Sequence, residues 1–314
     1  MLMLTEIYCF IDDFCKEFMP EWEKHLISSG LKKRNRKRQM SYAEVMTILI
    51  LFHQSHYRNF KWFYREYVSK TLNDAFPNLV SYNRFVELQK SVLIPLCYLL
   101  QALKGEETGI YFIDSTPLKA CHIKREKQNK VFESMAEKSK STMGWFYGFK
   151  LHLVINDKGE IMACKLTGAK TDDRKVVDIL TEGLTGKLVG DKGYIKKPLS
   201  EALWERGLQL ITRVKKKMKN GMISLFDKAL LRKRAIIESV NDQLKNISQI
   251  EHTRHRSHFN FMINVLCGLI ACDFQPKSRQ WQRIQKIHYW FCNRLIPNSR
   301  YIQASADIIT SCTV

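Results

Sequence analysis

From Ile110 onward the apolar rhythm of the chain changes, and that change constrains the possible folds more than any other feature. Residues 110–113 form a short apolar run, 149–155 and 161–166 are strand-like, and Asn156-Asp157-Lys158-Gly159 between the latter two reads as a hairpin turn. A helix is expected to begin near Thr171, followed by a short strand at 187–189, a helix over 198–206, a strand over 208–214 and a long helix over about 227–246. The order is βββαβαβα. Strands joined by a tight turn pair antiparallel, whereas strands joined through a helix pair parallel. The expectation is an α/β fold: a mixed five-stranded sheet flanked by helices.

Upstream the pattern is helical. Ser41 and Glu44 form a capping-box signature ahead of Val45, Ile48, Leu49 and Phe52, and a further helix is expected from Ser81. The stretch 104–108 separates the two regimes. The expected domains are an all-helical one over residues 1–104, the α/β one over 105–277 and an extension over 278–314, in keeping with ~150 residues per domain. Within the first, Tyr57, Phe60, Trp62, Phe63, Tyr64 and Tyr67 are interleaved with Arg58, Lys61 and Arg65. Such a mixture either grips nucleic acid by stacking and phosphate contact or is a core with a solvated cationic face, and spacing alone leaves both readings open.

The balance of charge narrows the partner. With 51 Lys+Arg against 31 Asp+Glu the formal charge is +20, which points to a polyanion, either nucleic acid or an acidic membrane surface. A spanning helix needs ~20 apolar residues; the longest runs, 45–52 and 261–272, are shorter, and Asn264 interrupts the second. Glu6, Asp12 and Asp13 stand where a signal peptide would be positive. The nine cysteines are odd in number, scattered and without a C-x-x-C pair, against both a disulfide framework and a cysteine zinc site. A cytoplasmic protein with reduced thiols, not bound to a membrane, is expected.

Asp114 follows the apolar run 110–113, and Asp191 follows Leu188-Val189-Gly190. Open α/β sheets bind ligands at strand ends, and a carboxylate there is poorly solvated unless paired or bound to a cation. An Asp capping the next turn is the simpler alternative for each alone. The long helix adds a third acid. Arg234, Glu238, Asn241 and Lys245 stand at offsets of zero, four, seven and eleven, so they form one polar stripe. Ile237, Val240, Leu244 and Ile247 form an apolar stripe for packing on the sheet. An exposed Arg234–Glu238 ion pair would also explain the polar stripe. Three carboxylates from three elements make a hard oxygen site suited to Mg²⁺ or Mn²⁺. Two such ions suit in-line displacement at a phosphodiester, and Arg234 and Lys245 would then bind the flanking phosphates.

The landmarks Ser81-Tyr82-Asn83-Arg84-Phe85, Ile113-Asp114-Ser115, Tyr147-Gly148-Phe149-Lys150-Leu151-His152, Gly190-Asp191-Lys192-Gly193-Tyr194 and Arg234-x3-Glu238-x6-Lys245 resemble DDE-type transposases of bacterial insertion sequences, most nearly the insertion-sequence-982 group, over about residues 1–277. The resemblance implies a ribonuclease-H-like catalytic domain with Asp114, Asp191 and Glu238 as its metal-binding triad. Related sequences carry a tyrosine three residues before the arginine, where this chain has Leu231, so the tyrosine's role does not carry over. Residues 278–314 match nothing in that family.

Other polar groups of the sequence have simpler readings. His252, His255 and His258 lie among Arg254 and Arg256 with no acid or cysteine in the run, and read as a basic segment facing DNA rather than a zinc site. Asp172 and Asp173 stand at a helix start, where Asp is a favoured cap. Lys150 and His152 share one strand face; Lys150 is a phosphate contact if that face looks toward the triad. Residues 122–140, rich in Lys, are expected to be a mobile loop. The expected activity is metal-dependent cleavage at transposon ends and strand transfer into target DNA, with double-stranded terminal inverted repeats bound by the helical region and a homodimer pairing two ends. A nuclease on the same fold, or a non-catalytic DNA-binding relic, are the competing readings.

Overall fold

The computed structural model describes residues 4–34, 37–141, 144–213, 224–251 and 255–274. The chain divides into two compact units, one of Met1–Leu103 with Asn246–Val314 and one of Lys104–Lys245.

The second unit is built on six strands: β1 (Ile110–Cys121), β2 (Glu137–Ser141), β3 (Gly144–Asn156), β4 (Ile161–Gly168), β5 (Gly186–Gly190) and β6 (Leu208–Thr212). Their order is β2-β3-β1-β5-β6, with β4 also on β3. β1, β3 and β4 pair antiparallel, while β5 joins β1 and β6 joins β5 in parallel. The path β4-β3-β1-β5-β6 is the mixed five-stranded, ribonuclease-H-like sheet that the sequence implies. The sixth strand is an addition to it. β2 extends β3 at Gly144–Gly148, beside the stretch that β4 covers. It corrects the expectation of a mobile loop over 122–140, which also holds a 3₁₀ turn at Ile123–Gln128. An edge strand needs backbone partners more than an apolar face, so alternating exposed Lys138 and Lys140 hide it from a search for apolar periodicity.

β1 also outruns its apolar residues. Antiparallel pairing with β3 continues from Tyr111 to Cys121, whereas parallel pairing with β5 covers Ile110 to Phe112 alone. Asp114 therefore lies inside a strand rather than at its end. It sits just beyond the point where one neighbour stops, and Pro117 is tolerated there because that edge of β1 needs no N–H. Tyr111, Ile113, Val154, Leu188 and Leu208 pack on one face against the helices Val177–Leu180 and Lys197–Glu205. The helix Ala235–Asp242 packs against β1, burying Ile237 and Val240. The long helix expected over 227–246 is in fact Leu225–Lys233, a break at Arg234, Ala235–Asp242 and a π-turn at Gln243–Ile247.

The other unit is helical. Tyr42–Gln54 is capped by the Ser41/Glu44 box and buried almost throughout, as a central helix must be, with Leu4–Ser28 and His258–Asp273 against it. The expected α/β domain over 105–277 included His258–Asp273, but that helix packs on Tyr42–Gln54 and Leu93–Ala102. It is apolar on nearly every side, so it needs helices around it rather than a single sheet face. Phe10 and Phe274 meet edge to face at 5.5 Å. The interleaved aromatics are mostly core: Phe63 and Tyr64 are buried while Arg58, Lys61 and Arg65 are exposed. Among the described residues no helix is long and apolar enough to cross a membrane. The extension 278–314 lies outside the described residues.

Candidate active site

Alternation along the strands sets which side chains can meet. Asp114 lies opposite Leu153, and Ser115 opposite His152. Successive residues face opposite sides, so Asp114 looks toward the helix Ala235–Asp242 and Ser115 away from it. Phe112 pairs with Val189, which puts Asp191, two residues on, at the Asp114 side.

The polar stripe of the helix converges on Asp114. Asn241 Nδ2 donates to Asp114 Oδ2 at 3.1 Å. The Arg234 guanidinium spans two acids, donating to Glu238 Oε1 at 2.6 Å and to Asp114 Oδ1 at 3.5 Å. Asp114 is largely buried, with 20% of its side chain exposed, whereas Glu238 is 60% exposed. Burial pushes the Asp114 carboxyl up to about 6; Arg234 and a backbone hydrogen bond oppose the shift, and the charges of Asp191 and Glu238 add to it. Asp191 caps the turn Lys192–Tyr194, its Oδ1 accepting from Gly193 N at 2.7 Å. Capping and a place near Asp114 are thus compatible, not rival, roles. Tyr194 of the same motif folds back under Gly190, where an added Cβ would lie 3.0 Å from its ring.

Lys150 is elsewhere. It pairs in register with Pro117 and shares the Ser115 face, where its Nζ donates to Asp173 Oδ1 and to the Thr171 carbonyl, both at 3.0 Å. Ser115 Oγ donates to Asp173 Oδ2 at 3.0 Å. His152 is fully buried in this cluster, its Nε2 2.8 Å from Thr167 Oγ1, and burial lowers it to about 4, so it is neutral. Of the two acids read as caps, Asp172 does cap, accepting from Arg174 N. Asp173 instead braces the residue next to Asp114, a role with no local sequence signal. Asn241 was legible only as a member of the stripe. Lys245 lies in the π-turn after it. Arg256 belongs to the helical unit, and Arg254 and His252 lie outside the described residues.

Asp114, Asp191, Glu238 and the Asn241 oxygen form a donor set of oxygens alone, as hard divalent cations prefer. Asn241 Oδ1 is buried without a hydrogen-bond partner in the described structure, so its lone pairs are available to a cation. Among the described residues no three acidic, imidazole or thiol groups close on one point, and Arg234 stands between Asp114 and Glu238. The residues fit a divalent cation in chemistry, with Arg234 supplying the positive charge meanwhile.

Residues 104–258 match the family described as the transposase DDE domain. That segment, just under half of the chain, is similar to DDE-type transposase domains. None of the curated proteins matches this chain. Among solved structures, a synaptic complex of piggyBac transposase with hairpin DNA is similar at 12% identity and a TM-score of 0.46, over 88% of this chain and 77% of that one.

Proposed function

We propose that this chain is a DNA transposase with Asp114, Asp191 and Glu238 as its metal-binding triad, and that it mobilises an element of the insertion-sequence-982 type by cutting at terminal inverted repeats and joining the freed 3′-hydroxyl to target DNA. The observation that carries this reading is geometric: Arg234 donates to both Glu238 and Asp114, Asn241 donates to the other Asp114 oxygen, and the pairing of β1 with β5 puts Asp191 on the same side. Two Mg²⁺ or Mn²⁺ ions would supply the charge that activates the attacking oxygen and stabilises the departing one.

The chain's own residues have distinct tasks. Asn241 holds Asp114 by one oxygen, and the other, which Arg234 approaches at 3.5 Å, would take a cation. Arg234, once exchanged from the acids, is a two-pronged donor within reach of the scissile phosphate's neighbours. Lys245, Arg254 and Arg256 would hold the DNA backbone as point charges and forks. Lys150, engaged by Asp173, serves the brace beneath Ser115 unless DNA draws it away. Pairing of two ends would take a homodimer on DNA.

A labelled end with a pre-cut 3′-hydroxyl, incubated with the protein, target plasmid and Mg²⁺, tests the reading. Joined product is expected from the wild type and none from Asp114→Asn, Asp191→Asn or Glu238→Gln, while duplex binding persists in all three. Hydrolysis without joining would make the protein a nuclease, and unimpaired joining by Asp114→Asn would remove the triad assignment.

A further inference from the structure

The helical unit contains a groove enclosing about 860 Å³, formed by the helices Tyr42–Gln54, Tyr82–Gln89 and His258–Asp273 together with residues 58–61. Its floor is apolar, with Leu49, Phe52, Val86 and Ile263. Its rim carries Arg58, Lys61 and Arg256, and no Asp or Glu lines it among the described residues. No ion pair of these three cations with a carboxylate is seen in the described structure, whereas Lys150 and Arg234 of the α/β unit are paired. An apolar slot with an uncompensated cationic rim is complementary to a flat heterocycle carrying a phosphate.

The polar groups at depth sharpen this. His53 Nδ1 lies 2.6 Å from the Ser248 carbonyl. A carbonyl only accepts, so that nitrogen carries the proton and Nε2 is left as an acceptor. Burial lowers His53 to about 4, which keeps the ring neutral at physiological pH. Asn260 lines the groove and its Oδ1 is buried without a hydrogen-bond partner in the described structure. Amides and a neutral imidazole can answer the donors and acceptors of a base edge. Tyr82 offers a half-buried ring, with Lys61 Nζ 5.9 Å and Arg65 Cζ 6.0 Å from its centroid. A base stacked on such a ring keeps its phosphate among cations.

We propose that this groove holds an unpaired nucleotide of the DNA, its base on the apolar floor and its phosphates on Arg58, Lys61 and Arg256. A cavity of this size accepts one or two nucleotides and cannot admit a duplex. A transposase that melts or distorts DNA at the cut has such nucleotides to store, and extruding a base costs only a few kcal/mol. The inference rests on the protein acting on DNA, but not on the triad assignment.

The test is fluorescence anisotropy of the full-length protein with a single-stranded oligonucleotide roughly 12 nucleotides long, the same strand without bases, a duplex of that sequence, and free deoxynucleoside monophosphate as competitor. Asn260→Leu, which fills the slot, and the double variant Arg58→Ala/Arg256→Ala are expected to weaken single-strand binding at least tenfold. Asn260→Leu should change duplex binding less than about threefold, and wild-type protein should bind the baseless strand no better than that variant does. Thermal melting checks that both variants fold; if Asn260→Leu does not, Asn260→Ala with the baseless strand gives the same comparison. Equal losses on single strand and duplex would mean that the groove follows intact backbone and would overturn the proposal, as would unchanged single-strand binding. Full competition by the monophosphate would assign the groove to a free nucleotide instead. Asp114→Asn should bind the single strand as wild type does, so failure of the triad reading and failure of this one give different results.

Discussion

At the scale of single residues the proposed triad sets Arg234 and a metal in competition for the same carboxylates. Arg234 holds Glu238 tightly and Asp114 loosely, and a guanidinium cannot lose its charge to make room. Arg234→Gln is therefore expected to lower the stability of the metal-free protein, tighten Mn²⁺ binding in a calorimetric titration, and still reduce strand cleavage because a phosphate donor is gone. Unchanged Mn²⁺ affinity would show that Arg234 does not compete. Asp114 makes a prediction in pH. Its carboxyl is raised from 3.8 to about 6, so the stability linked to its proton is present below the unfolded value and is lost as pH rises through 6. Without metal, Asp114→Asn should gain stability relative to wild type between pH 4 and 7, by no more than about 3 kcal/mol, and urea denaturation at the two pH values measures the gain. Added Mn²⁺ should reverse it by stabilising the wild type alone. The three acids of the proposed triad stand out in the sequence because each follows an apolar run or sits on a helical stripe. Asp173 was not, because its bonds to Ser115 and Lys150 span a reach of 58 and 23 residues and depend on the register of two strands.

At the scale of elements the site depends on the pairing of β1 with β3, since that register sends Asp114 to one face and Ser115 to the other. At Gly148 β3 runs so near β1 that an added Cβ would stand 2.1 Å from the Leu118 carbonyl oxygen. Backbone cannot yield as a side-chain tip can, so Gly148→Ala should destabilise the α/β unit by roughly 2 kcal/mol or more. A drop in the denaturation midpoint with loss of cleavage is the expected result, and a wild-type midpoint would show that the strands can part there at little cost. Elements driven by apolar periodicity were legible, including the hairpin turn at Asn156 and the two parallel strands. β2 was not, because its stability comes from backbone pairing on an existing edge. The break at Arg234 was hidden for a similar reason: both halves of the helix share one apolar stripe, and the pattern of side chains carries no mark of the interruption.

At the scale of the whole molecule the charge of +20 becomes a prediction about salt. If DNA is held by six to ten phosphate contacts, affinity should fall about 10³- to 10⁵-fold between 50 and 200 mM salt, and filter binding across that range reads the slope; a flat response would assign the cationic surface to another partner. The division of the chain makes a prediction about folding. The α/β unit is one continuous segment, Lys104–Lys245, whereas the helical unit is assembled from Met1–Leu103 and a second stretch that begins at Asn246. The sequence did not reveal this, because the return of His258–Asp273 to the first unit is set by tertiary packing and its apolar residues suit either partner. Removing everything after Lys245 takes away a helix that buries Phe261, Ile263, Leu269 and Ile270 against Tyr42–Gln54 and Leu93–Ala102. Each large side chain so lost leaves its partners exposed at about 1.5–3 kcal/mol, and four of them exceed much of the 5–15 kcal/mol that holds a domain together. The truncated chain should therefore keep the sheet signature in circular dichroism while losing cooperative melting of its helices. A helical signal that still melts in a single sharp transition would mean that residues 4–103 fold without the returning helix.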